Sequence, residues 1–241
     1  MWKEYFEKVL HAIEEVKNEE SENIEISAKA VFDTLESDGL IYVFGTGHSH
    51  MLAEEMFYRA GGLVTVYPVL SSCFMLHEGA EHSSESERTP GLARRLLESY
   101  RITSKDLLLI ISNSGVNCAP VEAALYAKEI GLRTVAVTSL AHSLSVTPKN
   151  LEGARLFEIA DIVIDNHIPP GDALMEIGSA RVAPASTAIG ATILNSIVTE
   201  VAWLFAQKGK DPPVFISANI EDGNLQNSEL IRRYKRRIPI L

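Results

Sequence analysis

From residue 40 onward the chain alternates short, almost unbroken apolar runs with longer stretches whose apolar residues return every three or four positions. Strands buried on both faces read as continuous apolar runs, and the helices that cover them carry an apolar stripe. The alternation therefore predicts an α/β domain built around a doubly wound parallel sheet. The runs at 40–44 (Leu-Ile-Tyr-Val-Phe), 63–67, 107–111, 134–138 and 161–164 are the five expected strands. Between them Leu52, Met56 and Ala60 share one helical face, and Val121, Ala124, Leu125 and Lys128 share another, with Pro120 at an acceptable first-turn position. Residues 187–207 are apolar almost all round (Ile189, Ile193, Leu194, Ile197, Val198, Val201, Leu204, Phe205), which predicts a buried helix.

Two helical stripes precede the first run. Trp2, Tyr5, Phe6, Val9, Leu10, Ile13 and Val16 form one, and Ile24, Ala28, Val31 and Leu35 the other. Such an arm has to hide its apolar face on the domain or on a second subunit, so a homodimer or homotetramer is expected. The chain reads as one domain in three parts: an N-terminal helical arm (1–38), the α/β body (39–208) and a tail (209–241) rich in Arg232, Arg233, Lys235, Arg236 and Arg237. Two segments, 68–90 and 166–186, are long, polar and rich in Pro, Gly, Ser or His, and read as functional loops.

With 241 residues, 46% of them hydrophobic, the chain can fill one large core. No apolar run is read as reaching the roughly 18 residues of a membrane helix. The first segment carries Lys3, Glu4 and Glu7, unlike a signal peptide, so a cytoplasmic protein without a membrane partner is expected. Cys73 and Cys118 have no paired spacing and suggest reduced thiols rather than a disulfide or zinc scaffold. A net charge of −10 repels nucleic acid, which is not an expected partner. Any anion site must then be built locally, from backbone amides and helix ends.

The strand ends supply such material. The first run closes in Gly45-Thr46-Gly47-His48-Ser49 and enters a helix, bringing free amides, a hydroxyl and a positive dipole end to one point. This is not a dinucleotide fingerprint, because His50 stands where the third glycine belongs and the second run ends at Tyr67-Pro68 without an acidic residue for a ribose. The third run closes in Ser112-Asn113-Ser114-Gly115-Val116-Asn117 before another helix. Doubly wound sheets bind ligands outside the carboxyl ends of their strands, so two such loops side by side point to one anion site.

These paired loops resemble the GxGxS and SxSGxT motifs of the sugar isomerase (SIS) domain family, which includes phosphoheptose isomerase, glucosamine-6-phosphate synthase and N-acetylmuramic acid 6-phosphate etherase. The resemblance covers roughly residues 20–208 and implies a flavodoxin-like, SIS-type sheet. It implies a phosphosugar site formed by Gly45, Thr46, Gly47, Ser49, Ser112, Asn113, Ser114, Gly115 and Asn117, the last replacing the family's Thr, with Ser186 and Thr187 as a third polar cluster. The implied activity is aldose-ketose isomerisation of a sugar phosphate without a cofactor. The alternatives are an amino-sugar-phosphate etherase or deaminase, and a non-catalytic sugar-phosphate sensor. A nucleotide-binding protein is disfavoured by the failed fingerprints.

Moving a proton between adjacent carbons requires an acid-base side chain beside the bound phosphate. The segment His77-Glu78-Gly79-Ala80-Glu81-His82 offers Glu78 as base with Glu81 and His82 as rivals, in the region where the family's members carry a catalytic Glu. Glu200, a carboxylate within an apolar helix, is a further rival. His48, His50, His77 and His82 raise a metal site, but the His77 to His82 spacing does not put two ligands on one helical face, and no metal is expected. His142 and His167 follow the fourth and fifth runs and are candidates to line the cleft.

Overall fold

A computed structural model describes residues 1–217, 219 and 223–241. In chain order the elements are α1 (Trp2–Glu19), α2 (Ser21–Glu36), β1 (Ile41–Gly45), α3 (His50–Met56), β2 (Val66–Val69), α4 (Ala80–Arg88), α5 (Leu92–Ser99), β3 (Leu107–Ile111) and α6 (Cys118–Glu129). They continue as β4 (Arg133–Thr138), α7 (Leu140–Ser145), α8 (Leu156–Ile159), β5 (Ile162–Asp165), β6 (Ala173–Ile177), β7 (Ala180–Pro184), α9 (Ser186–Gln207) and α10 (Gly223–Tyr234). The five expected strands form one parallel sheet in the order β2-β1-β3-β4-β5, so the chain reverses its direction of winding between β1 and β3.

Successive side chains of a strand point to opposite faces, and here they feed two separate cores. Ile41, Val43, Leu107, Leu109, Ile111, Val135 and Val137 pack against α1, α2, α3 and α9. Tyr42, Phe44, Leu108, Ile110 and Ala136 pack against α5, α6 and the tail residues Phe215, Tyr234 and Ile238. On the first face α2 crosses α9, with the rings of Phe32 and Phe205 edge to face at 4.7 Å.

The second strand begins three residues later than expected. Leu63 and Val64 instead meet the tail, Leu63 bridging Val214 and Val64 N–H donating to the Pro213 carbonyl at 2.9 Å, so the apolar run 63–67 serves two partners. Pro68 falls inside β2, where an edge strand tolerates its missing N–H. The helix after β1 ends at Met56, short of Ala60.

Both expected loops carry regular structure. Residues 68–90 contain two 3-10 turns, Ser72–Phe74 and Leu76–Glu78, and then α4, a polar helix that buries Ser83 and Ser86. Residues 166–186 contain the β6–β7 hairpin, whose two-residue connection is Gly178-Ser179. The hairpin packs on α1, and Tyr5 donates its hydroxyl to the Pro184 carbonyl at 3.1 Å.

The helix expected to be buried all round has two faces. Ile189, Ile193, Ile197, Val201 and Phe205 of α9 lie in the core, whereas Thr192, Asn195, Thr199 and Trp203 are exposed. By length and composition alone α9 is apolar enough to cross a membrane, contrary to the sequence reading, but its apolar side is packed on the sheet and α2. Helix α1 also divides: Ala12 and Val16 are buried while Trp2, Phe6 and Leu10 remain 69%, 60% and 56% exposed.

Candidate functional site

The first loop folds back on the strand that feeds it. A Cβ at Gly45 would stand 2.5 Å from the Ser49 carbonyl oxygen, so the turn closes only around glycine. Thr46 is buried and donates its hydroxyl to Glu87 Oε1 at 2.8 Å, which ties the loop to the end of α4. Residues Gly47–Ser49 make a 3-10 turn in which Ser49 N–H reaches the Thr46 carbonyl at 2.9 Å. His50 donates from Nδ1 to the Gly47 carbonyl. The Ser49 hydroxyl has no protein partner among the described residues.

The second loop is braced from within. Buried Ser112 accepts from Gly115 N–H at 3.1 Å. Gly115 is held at φ +60, and a Cβ there would meet Leu156 Cβ at 3.0 Å and Thr138 Oγ1 at 3.1 Å. Asn113 accepts from Asn166 Nδ2 at 2.9 Å and lies 3.2 Å from His142 Nδ1. The hydroxyl of Ser114 and the side chain of Asn117, which precedes α6 without capping it, have no protein partner among the described residues.

The third cluster opens α9. Asp172 accepts from the N–H groups of Ala185 and Ser186 at 3.1 and 2.8 Å and from the Ser186 hydroxyl at 2.6 Å. The chain's own carboxylate thus occupies the positive end of α9. The Thr187 hydroxyl has no partner among the described residues.

Ser49, Asn113, Asn166, Ser186 and Thr187 converge on one small cleft, floored by Leu52, Ile111, Val137 and Gly190, with a cavity volume of about 10 Å³. It lies between the carboxyl ends of β1 and β3, where the winding reverses. Four of the residues assigned from sequence therefore meet, while Gly45, Thr46, Gly47, Ser112 and Gly115 shape the loops that bring them together. Asn166 was not foreseen; its one signal was its position at the end of the fifth strand, beside His167. Glu87 was also missed, since nothing in a polar helix marks the residue that turns back to Thr46.

The acid-base candidates stand apart from the cleft. Glu78, Glu81 and His82 are exposed, on the turn before α4 and in its first turn, and His77 Nε2 lies 3.9 Å from Glu78. His48 is exposed as well. Glu200 is on the outer face of α9, in a shallow groove with Thr192, Ser196 and Thr199. His167 sits between Glu20 and Asp165, 3.4 and 3.9 Å away. His142 is half-buried, and that burial, partly opposed by Asp172, holds its imidazole below the usual histidine range. Among the described residues no three His, Cys, Asp or Glu side chains are placed to hold a metal ion.

Comparison with known proteins agrees with this fold. A family profile described as "SIS domain" matches residues 4–139. The UPF0309 protein of Geobacillus kaustophilus is 42% identical over 243 residues, spanning 100% of this chain and 97% of that protein. Among solved structures, a phosphoheptose isomerase from Francisella tularensis superposes with a TM-score of 0.58 at 18% identity, over 83% of this chain and 95% of that one. The sugar isomerase domain of an RpiR transcription factor from Sphaerobacter thermophilus does so with a TM-score of 0.50 at 17% identity, over 98% of each chain. At such identities the structural likenesses establish the fold.

The bracing separates two kinds of serine. Ser112→Ala leaves Gly115 N–H buried without an acceptor and is expected to lower unfolding free energy in urea by about 1–3 kcal/mol. Ser49→Ala removes no protein contact and should leave the urea transition unchanged.

Proposed function

This chain belongs to the SIS-domain family, and on that premise we propose that it binds a sugar phosphate in the cleft between β1 and β3 and isomerises it. The single observation that carries the reading is the convergence of Ser49, Asn113 and Thr187 on that cleft, where the Ser49 and Thr187 hydroxyls have no protein partner among the described residues. Hydroxyls and amides suit phosphate oxygens, and an acidic chain can hold an anion with them where no Lys or Arg lines the site. Ser114 and Asn117, equally free, lie on the neighbouring loop. Proton transfer is assigned to the region of α4, with Glu78 as base and Glu81 and His82 as rivals. Glu87, already in contact with the first loop, joins them.

A sugar-phosphate sensor is the second reading, favoured by the exposure of Glu78, Glu81 and His82 away from the cleft. The sugar isomerase domain of the RpiR transcription factor shows the same fold in a regulator. Under either reading the protein acts as a homodimer or homotetramer, supported by the uncovered Trp2, Phe6 and Leu10 of α1, and light scattering of the purified protein measures this directly.

Thermal shifts against hexose, heptose, amino-sugar and N-acetylmuramic acid phosphates, with nucleotides as controls, test the binding. A shift with a sugar phosphate is expected, and Ser49→Ala and Ser114→Ala should each weaken its binding by roughly 1–3 kcal/mol. Unchanged affinity in both, or a shift with nucleotides alone, contradicts the assignment. Glu78→Gln should abolish turnover and spare binding. Loss in Glu87→Gln instead would move the base to the end of α4, and no turnover of any bound sugar phosphate would favour the sensor.

A further inference from the structure

One hydrogen-bonded chain at the cleft has a direction that can be read from its anchored end. The Ile168 N–H donates to Asn166 Oδ1 at 3.1 Å, and a backbone N–H can only donate, so this contact fixes which end of the Asn166 amide is oxygen. Asn166 Nδ2 must then donate to Asn113 Oδ1, at 2.9 Å. With its oxygen engaged, Asn113 turns Nδ2 towards His142 Nδ1, 3.2 Å away, and that nitrogen must accept. The same Ile168 peptide holds the other end: its carbonyl accepts from the Ser139 hydroxyl at 2.6 Å, and Ser139 Oγ accepts from His142 N–H at 3.0 Å.

We infer that Ile168, Asn166, Asn113 and His142 form a polarised relay that keeps His142 as the neutral Nε2–H tautomer and presents Asn113 to the cleft as a hydrogen-bond donor. This rests on the phosphosugar reading of the cleft, and makes His142 a positioning residue that acts through Asn113. A cationic imidazole carries N–H on both nitrogens, cannot accept from Asn113, and would turn the Asn113 oxygen away from Asn166. A ligand with acceptor oxygens is therefore held more tightly while His142 is neutral.

The surroundings agree with a neutral ring. Burial disfavours the cation and outweighs the opposing pull of Asp172. Asp165, at the end of β5, has its Oδ1 engaged by Leu140 N–H at 3.1 Å and by His167 N–H at 3.0 Å. Arg155 donates to the carbonyl of Ser143 in α7 and to that of Val146 just after it, and the ionisable His167 follows Asp165. Because the folded-state pKa lies below the ordinary histidine value, the neutral form persists on acidification and is lost only as the pH falls through that lowered value.

Nitrogen-15 imidazole spectra of histidine-labelled protein read the tautomer, with His142 assigned from its disappearance in His142→Gln. An unprotonated Nδ1 at neutral pH is expected. Asn166→Asp accepts from Ile168 but cannot donate to Asn113, so it should reverse the relay and move the His142 proton from Nε2 to Nδ1. Binding of inorganic phosphate and fructose 6-phosphate is then followed from about pH 8 to about pH 5.5 in the wild type and in His142→Gln, whose amide oxygen accepts at every pH. The wild type should lose more affinity over that range than the variant, by a factor below about ten because the His142 pKa lies under its ordinary value, and the variant shares any titration of the phosphate itself. An Nδ1–H tautomer in the wild type, or no change of tautomer in Asn166→Asp, overturns the relay. Identical pH profiles overturn its role in binding. The expected tautomers with no phosphate binding at any pH overturn both that role and the phosphosugar reading, while the relay stands.

Discussion

Burial of β1, β3 and β4 on both faces is the constraint from which the rest follows. Their apolar residues are divided between two cores, so the sheet can offer polar groups only where the strands end. At the carboxyl edge four of the five strands run directly into a hydroxyl or amide: Thr46 after β1, Ser112 after β3, Ser139 after β4, Asn166 after β5. The reversal of winding between β1 and β3 parts two of these loops at the small polar cleft.

Division of labour within the loops is as informative as their composition. Ser112, Thr46 and Ser186, assigned from sequence as ligand contacts, have oxygens that bond Gly115, Glu87 and Asp172. Ser49, Ser114 and Thr187 keep their hydroxyls free of partners among the described residues. Asp172 already compensates the amino end of α9, so under the proposed reading the phosphate takes its donors from the two loops rather than from that helix.

The sheet was legible because a doubly buried strand has a distinctive pattern, and the two loops because glycine and serine stand directly at strand ends. Leu63 was misplaced because an apolar run does not reveal whether its partner is the sheet or a distant tail. The hairpin had a local signal in Gly178-Ser179 between two short runs, outweighed by the polar character of the segment. Helix α4 had little apolar signal, being held through Ser83, Ser86 and Glu87. Asn166 and the polarity of its relay depend on contacts across 53 residues, and no local pattern encodes them.

The most direct measurement is a crystal structure of the protein with the sugar phosphate that gives the largest thermal shift. Phosphate oxygens within about 2.7–3.1 Å of the Ser49 and Ser114 hydroxyls, with the sugar in the cleft beside Asn113 and Thr187, are the predicted result. A phosphate bound elsewhere, such as the outer groove of α9 at Glu200, with the cleft between β1 and β3 empty, would contradict it.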